Sequence, residues 1–301
     1  MNIVLVWIKA FRLRTLPLAL SSAILGSFLA LAYGTFSWPV FILASLTTLF
    51  LQILSNLAND YGDFMHGVDN ENRVGPTRIT SHGLVSPRAM KIMIITFVLL
   101  ALFSGSSLII IGLEGLPVKN LAILFLLGFS AIFAAIKYTV GKKPYGYVGL
   151  GDLFVFIYFG IVGVCGTFYL HTHYFNPWVL LPASAIGLLS SGVLNLNNMR
   201  DVENDALSGK RTLVVWIGSK AAKLYHTVLI GLSFVFSTIY ALKFFTSVYQ
   251  YLFILTSPLF FMNVMVVIQN TEPAQLNKEL KKLAFSTFAF SIAFGIGLII
   301  Q

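Results

Sequence analysis

Hydrophobic positions in this chain come in long runs that no acidic or basic residue interrupts. Residues 15–59 and 153–199 hold no Asp, Glu, Lys or Arg, and each run is long enough for two membrane spans of about 20 residues. The first pair is divided near Tyr33-Gly34 and Ser37-Trp38-Pro39, the second near His171, His173, Asn176 and Pro177. Shorter runs follow at 92–113, 120–136, 224–242, 244–271 and 283–301. The pattern predicts helices over about 15–33, 38–58, 91–113, 119–138, 152–170, 177–199, 222–243, 247–269 and 281–300. The expected fold is therefore all-α: a single polytopic membrane domain over 1–301, with nine transmembrane helices bundled around a central chamber. Pro182 and Pro258 are expected to kink their helices.

Composition agrees with this pattern, since 57% of the 301 residues are hydrophobic and only 10% are charged. A soluble domain carries about 25% charge. The formal net charge of +9 suggests nucleic acid until the positions are read. Nine spans place 1–14, 60–91, 137–152, 200–223 and 272–282 on one side, and these hold eighteen of the 20 Lys and Arg residues. Only Lys119 and Lys243 fall on the other side. That asymmetry is the positive-inside pattern, with the N-terminus inside and the C-terminus outside. The basic balance thus reads as topology, and no nucleic-acid partner is expected.

Two further features belong to the N-terminal region and the middle of the chain. Ala30-Leu31-Ala32 resembles a signal cleavage site, but the apolar run before it begins at Thr15 and exceeds the usual 7–15 residues, so it reads as the first span. Trp7 to Arg14 mixes aromatic, aliphatic and basic residues, as a short helix lying on the membrane surface does. The single cysteine, Cys165, falls mid-span and can form no intramolecular disulfide.

Acidic residues carry the chemistry. Ten of the eleven lie on the inner side, Glu114 being the exception, and they cluster after the second span (Asp60, Asp63, Asp69, Glu71) and after the sixth (Asp201, Glu203, Asp205). If the second helix continues through its polar end, Asn56, Asn59, Asp60 and Asp63 share one face at i, i+3, i+4 and i+7. Asn197, Asp201 and Asp205 share a face at i, i+4 and i+8. Carboxylates at a helix C-terminus meet the negative end of the dipole, so clustering them there suits a bound cation. Oxygen donors without Cys or His select a hard ion, Mg²⁺. Arg73 and Arg78 follow the first cluster, Lys210 and Arg211 follow the second, and the loop between the fourth and fifth spans adds Lys142 and Lys143. Carboxylates, metal and cations together suit an anionic ligand held through the metal, such as a diphosphate.

These motifs resemble a known family. Asn59-Asp60-Tyr61-Gly62-Asp63, continuing through Asp69 to Gly75-Pro76-Thr77-Arg78, resembles the first Asp-rich motif of the UbiA-type intramembrane prenyltransferases. The second motif is similar to Asn197-Asn198-Met199-Arg200-Asp201, Asp205 and Gly209-Lys210-Arg211. Tyr138 and Lys142 match the family's YxxxK element. Arg78 and the run Pro144–Asp152 are similar to the branch that prenylates 1,4-dihydroxy-2-naphthoate in menaquinone biosynthesis. In this chain position 67 is Gly and the third acid is Asp69, so the resemblance assigns Asp69 no metal role.

The resemblance implies an enzyme of the bacterial inner membrane, acting on its cytoplasmic side. Its partners would be a polyprenyl diphosphate and dihydroxynaphthoate, within the lipid bilayer. Asp60, Asp63, Asp201 and Asp205 would hold Mg²⁺ with Asn59 and Asn197. Arg73, Arg78, Lys142, Lys210 and Arg211 would bind substrate, and Tyr138 would act beside Lys142. Phe154, Phe156, Tyr158 and Phe159 either line the chamber or pack against lipid. His66 and His82 are candidate bases or solvated loop residues. Other readings are a sister enzyme with a different acceptor (hydroxybenzoate, homogentisate or haem) and an ion-coupled transporter. Transporters place their charges mid-span, whereas every acid here lies at or beyond a helix end.

Overall fold

The computed structural model describes residues 3–69, 74–75, 78–115 and 117–300. Among the described residues there is no strand, and nine helices are long and apolar enough to cross a membrane. The fold is all-α. A short helix α1 (Ile3–Phe11) precedes the spans. Next come α2 (Leu16–Ala32), α3 (Trp38–Met65), α4 (Pro87–Gly112) and α5 (Val118–Lys137). The chain continues as α6 (Gly151–Thr172), α7 (Leu180–Arg200), a short α8 (Val202–Leu207) and α9 (Leu213–Lys243). It finishes with α10 (Val248–Gln269) and α11 (Leu276–Ile299).

Local chemistry sets these boundaries. The Ser86 side chain caps α4 by accepting from the Ala89 amide at 3.2 Å, with Pro87 in the first turn, where its missing N–H is not needed. Pro182 lies in the first turn of α7, whereas Pro258 stands midway along α10, where a 3-10 stretch (Val248–Thr256) gives way to α-helix (Ser257–Gln269). Pro182 therefore does not kink α7 mid-span. Gly218, whose backbone (φ 78°, ψ 161°) interrupts α9, adds a further bend. α6 is unusual in another way, because Phe156–Cys165 is wound as a π-helix. Such stretches concentrate at functional sites.

α7 forms the middle of the bundle. Its buried residues include Ala183, Ala185, Gly187, Ser190, Ser191 and Gly192, and small side chains let helices approach closely where lipid offers no hydrophobic drive. α6, α9 and α11 pack around α7, and α11 also packs on α2. The largest apolar core joins residues of α2, α6, α7, α9, α10 and α11, with Phe253, Phe260, Phe290 and Phe294 at its centre. A second core links α1, α3 and α4 through Val6, Leu54, Leu57, Met90 and Phe97. α5 is peripheral, Ala134 being its one buried residue.

Candidate active site

α3 does not stop where its apolar run ends; it continues to Met65 and presents the polar face that the spacing predicts. Asn56 donates to the Phe11 carbonyl at 3.0 Å and to Thr15 Oγ1 at 3.1 Å, which ties the N-terminal segment to this end of the bundle. Asn59 turns the other way, accepting from Thr139 Oγ1 at 3.2 Å. Gly62 separates the two acids because nothing larger fits: a Cβ there would come within 2.6 Å of the Thr139 carbonyl oxygen.

Asp60 and Asp63 are both 2% exposed. One Asp60 oxygen accepts from the Ile79 amide at 3.3 Å, while Oδ1 is buried without a hydrogen bond. Asp63 is surrounded by donors. Arg78 Nη2 reaches its Oδ2 at 2.8 Å, the Tyr147 hydroxyl donates to Oδ1 at 2.7 Å, and Lys210 Nζ lies 4.0 Å from Oδ1. Arg78 also pairs with Asp69, Nε to Oδ1, at 3.4 Å.

The second motif follows α7. The Arg200 guanidinium grips both oxygens of Asp201, with Nε 2.9 Å from Oδ1, and donates to Asn197 Oδ1 and Asn277 Oδ1 at 2.9 Å each. α8 then carries Asp205, 1% exposed. Gly209, at φ 75°, turns the chain so that Lys210 folds back over Asp205, Nζ to Oδ1 at 3.4 Å. The Asn204 amide donates to the Val68 carbonyl at 2.8 Å and fastens the two loops together. Lys210 therefore stands between Asp63 and Asp205, and it joins two motifs far apart in sequence.

Burial and charge set the protonation of these groups. Burial raises Asp205 to about 6, Asp201 and Asp63 adding to the shift while Lys210 opposes it. For Lys210 burial works downward, but Asp63, Asp205 and Asp201 together outweigh it and hold the ammonium above its usual range. Tyr147 is raised far above the ordinary phenol range by burial and by Asp63, so it remains a donor. Tyr138 is likewise raised, by burial first and then by Asp152, Asp63 and Asp205.

Beside these acids lies a cavity of about 400 Å³. Asp60, Arg78, Asn197 and Arg200 form part of its wall, and Lys9, Arg12 and Arg14 from the N-terminal segment form another. Several site residues expected from the sequence thus meet: Asp60, Asp63, Arg78, Asp205 and Lys210 around one cluster, with Asn197 at the cavity and Asp201 closed off by Arg200. Others stand apart. Lys142 and Arg211 have exposed side chains, although the Arg211 amide donates to the Tyr147 carbonyl at 3.0 Å. Tyr138 packs edge-on against Tyr145 with ring centroids 5.5 Å apart. Arg73 and Glu71, and Pro76-Thr77 of the first motif, lie outside the described residues.

The loop histidines are held by backbone rather than by substrate-facing groups. His66 bonds the Gly62 and Gly141 carbonyls at 2.8 and 3.0 Å, and His82 bonds the Arg78 carbonyl at 3.0 Å. Tyr147, Arg200 and the N-terminal basic residues were not assigned roles from the sequence. Arg200 was signalled by standing next to Asp201; Tyr147 and Arg12 come into place only through tertiary structure. Among the described residues no three His, Cys, Asp or Glu side chains gather closely enough to hold an ion alone.

Comparison with known proteins places this arrangement. The sequence model of the UbiA prenyltransferase family matches residues 19–292. A 1,4-dihydroxy-2-naphthoate octaprenyltransferase of Haemophilus influenzae is 42% identical over 98% of this chain and 96% of its own length. Among solved structures, the apo UbiA homolog of Aeropyrum pernix K1 has a TM-score of 0.67 at 16% identity, covering 94% of this chain and 96% of that one. An Archaeoglobus fulgidus UbiA homolog bound to DMAPP and Mg²⁺ has a TM-score of 0.59 at 16% identity, covering 94% and 98%. At that identity the likeness concerns the fold.

Proposed function

The chain belongs to the UbiA prenyltransferase family, and from that premise we propose that it transfers a polyprenyl group from an allylic prenyl diphosphate to 1,4-dihydroxy-2-naphthoate, with decarboxylation. One observation carries the reading. Lys210 joins Asp63 to Asp205 beside a cavity walled by Arg12, Arg14, Arg78 and Arg200, so acids and cations converge where a diphosphate would sit. The acceptor assignment is supported by the name of the Haemophilus influenzae relative, which spans nearly the whole chain.

The donor set fits Mg²⁺. Asp60 Oδ1, Asp205 Oδ2 and Asn204 Oδ1 are buried oxygens without hydrogen bonds, and no thiolate or imidazole competes. Mg²⁺ is usually held by one or two carboxylates together with substrate phosphates, so a tight protein-only cluster is not required. Asp60, Asp63, Asp201 and Asp205 would hold it, with Asn59 and Asn197 assisting. When bound, Mg²⁺ supplies positive charge against the diphosphate as it leaves.

The chain's own residues do the rest. Arg78 and Lys210, with Arg200 at the cavity wall, stabilise the diphosphate as its allylic C–O bond breaks and it takes the electron pair. The naphthoate ring forms the new C–C bond. Its carboxylate leaves as CO₂, and the electrons of that bond return to the ring. The Lys/Arg asymmetry supports a cytoplasmic active site in a bacterial inner membrane.

Purified protein, Mg²⁺ and a polyprenyl diphosphate, offered dihydroxynaphthoate, hydroxybenzoate and homogentisate in separate reactions, test the reading. CO₂ release and a prenylated naphthoquinol are expected with dihydroxynaphthoate alone. Transfer to hydroxybenzoate and not to dihydroxynaphthoate would replace the acceptor.

A further inference from the structure

One buried acid at this end of the bundle has no role in holding diphosphate or metal. Asp152, in the first turn of α6, is 7% exposed. Asp63, Asp69, Asp201 and Asp205 all pair with Lys or Arg, but among the described residues no cation lies within ion-pair distance of Asp152. What faces it is phenolic. The Tyr225 hydroxyl of α9 donates to Asp152 Oδ1 at 3.4 Å, and the backbone carbonyl of Asp152 accepts from Ser191 Oγ of α7 at 3.1 Å. The Tyr138 hydroxyl packs against the preceding residue, since a Cβ on Gly151 would meet it at 3.4 Å. Burying a carboxylate without a cation is unfavourable by several kcal/mol, and such groups concentrate where chemistry needs them.

Its surroundings describe a ligand. Tyr145 stacks on Phe154 with centroids 4.0 Å apart, Tyr138 stands edge-on to Tyr145, and Tyr158 continues the row at 6.1 Å from Phe154. This aromatic wall begins two residues from Asp152. On the other side, the Tyr138 hydroxyl lies over Gly151, the residue next to Asp152. A flat ring with a hydrogen-bond donor fits a wall of rings with one carboxylate acceptor at its edge.

Resting on the function proposed above, we infer that Asp152, held by Tyr225, accepts a hydrogen bond from a ring hydroxyl of the aromatic acceptor and so raises the nucleophilicity of its ring. As the ring forms its bond to the allylic carbon, positive charge spreads onto that hydroxyl oxygen, and Asp152 stabilises it. When the carboxylate leaves as CO₂ the ring regains its electrons. The hydroxyl proton is shared throughout and never lost, so no external base is consumed.

Rates with dihydroxynaphthoate and with its two mono-O-methyl ethers, at fixed prenyl diphosphate and Mg²⁺, test the inference. Wild type is expected to prefer the free dihydroxy compound over one ether by about 10- to 100-fold, the range of a hydrogen bond to a charged group. Asp152→Asn should lose most of that preference through kcat while KM for prenyl diphosphate stays within about threefold. Retained preference in a folded Asp152→Asn protein would overturn the role. If that variant does not fold, Tyr225→Phe takes its place: a weakened preference supports the role and an unchanged one overturns it. Wild type that does not prenylate dihydroxynaphthoate at all would instead refute the function on which the inference rests.

Discussion

Asp63 at the end of α3 divides its two oxygens among Arg78, Tyr147 and Lys210, drawn from three other parts of the chain. Asp201, at the end of α7, is gripped on both oxygens by the residue that precedes it. The two motifs share residue types, yet Asp63 is held by donors from distant parts of the chain and Asp201 is held by its immediate neighbour. Charge at Asp63 therefore depends on the assembled bundle. The arginine that holds Asp201 is itself fixed by Asn277 at the start of α11. Asp60 and Asp205, each with one oxygen lacking a hydrogen bond, are the acids best placed to take a further ligand from either side.

The contrast can be broken from its strongest point downward. Lys210→Met leaves Asp63 and Asp205 facing each other without their shared cation, which destabilises by about 3–5 kcal/mol. It should lower the unfolding midpoint in detergent and abolish turnover; a variant as stable as wild type would show that the bridge is unimportant. Asp63→Ala keeps more of the fold but removes the acid on which three donors converge. Turnover should fall by about 10²–10³-fold, measured as initial rate under saturating Mg²⁺. Arg200→Ala tests the second motif: removing the guanidinium from Asp201 should cost about tenfold in rate, the worth of a charged hydrogen bond, with less change in stability than Lys210→Met. A larger stability loss in Arg200→Ala would invert the comparison.

Proton competition gives the mildest test. Asp205 is raised to about 6 by burial, so it is protonated as pH falls through that value and a divalent ion must displace the proton. The Mg²⁺ concentration for half-maximal rate should be constant from pH 8 to 7 and rise up to about tenfold per pH unit below 6. In stability the sign is opposite. A carboxyl raised above its unfolded value near 3.8 contributes stability that is full at low pH and lost as pH rises through about 6. A Mg²⁺ requirement independent of pH down to 5 would remove Asp205 from the binding step.

Much of the fold was readable because a membrane protein writes its spans as charge-free runs and its topology as an asymmetry of Lys and Arg. The shared face of Asn56, Asp60 and Asp63 was readable because helical spacing decides it, whereas Asn59 turns to Thr139. What was not readable depended on long-range packing. Tyr147 lies in a loop and reaches Asp63 only because α5 and α6 bring that loop over the end of α3. Arg12 and Arg14 lie at the other end of the sequence from Arg200, yet they line the same cavity. Lys142 was placed in the site by its motif, and its side chain is exposed. Gly218 precedes the span read over 222–243, so the bend near the start of α9 fell outside the run that the charge pattern marks.

The packing of α11 on α2 bears on how the protein is made. An odd number of spans sets the first and last residues at opposite ends of the bundle: Phe11 is tied to Asn56 beside the acids, while Gly297 lies against Tyr249 where α10 begins. During synthesis the contacts of α2 with α3 and α6 can form well before those with α11. The part of its face where Phe28 meets Gly295 is completed last. Late nonsense mutations that remove only α11 would thus uncover one face of α2 while leaving its packing on α3 and α6, and a permuted chain would need a linker long enough to cross the membrane.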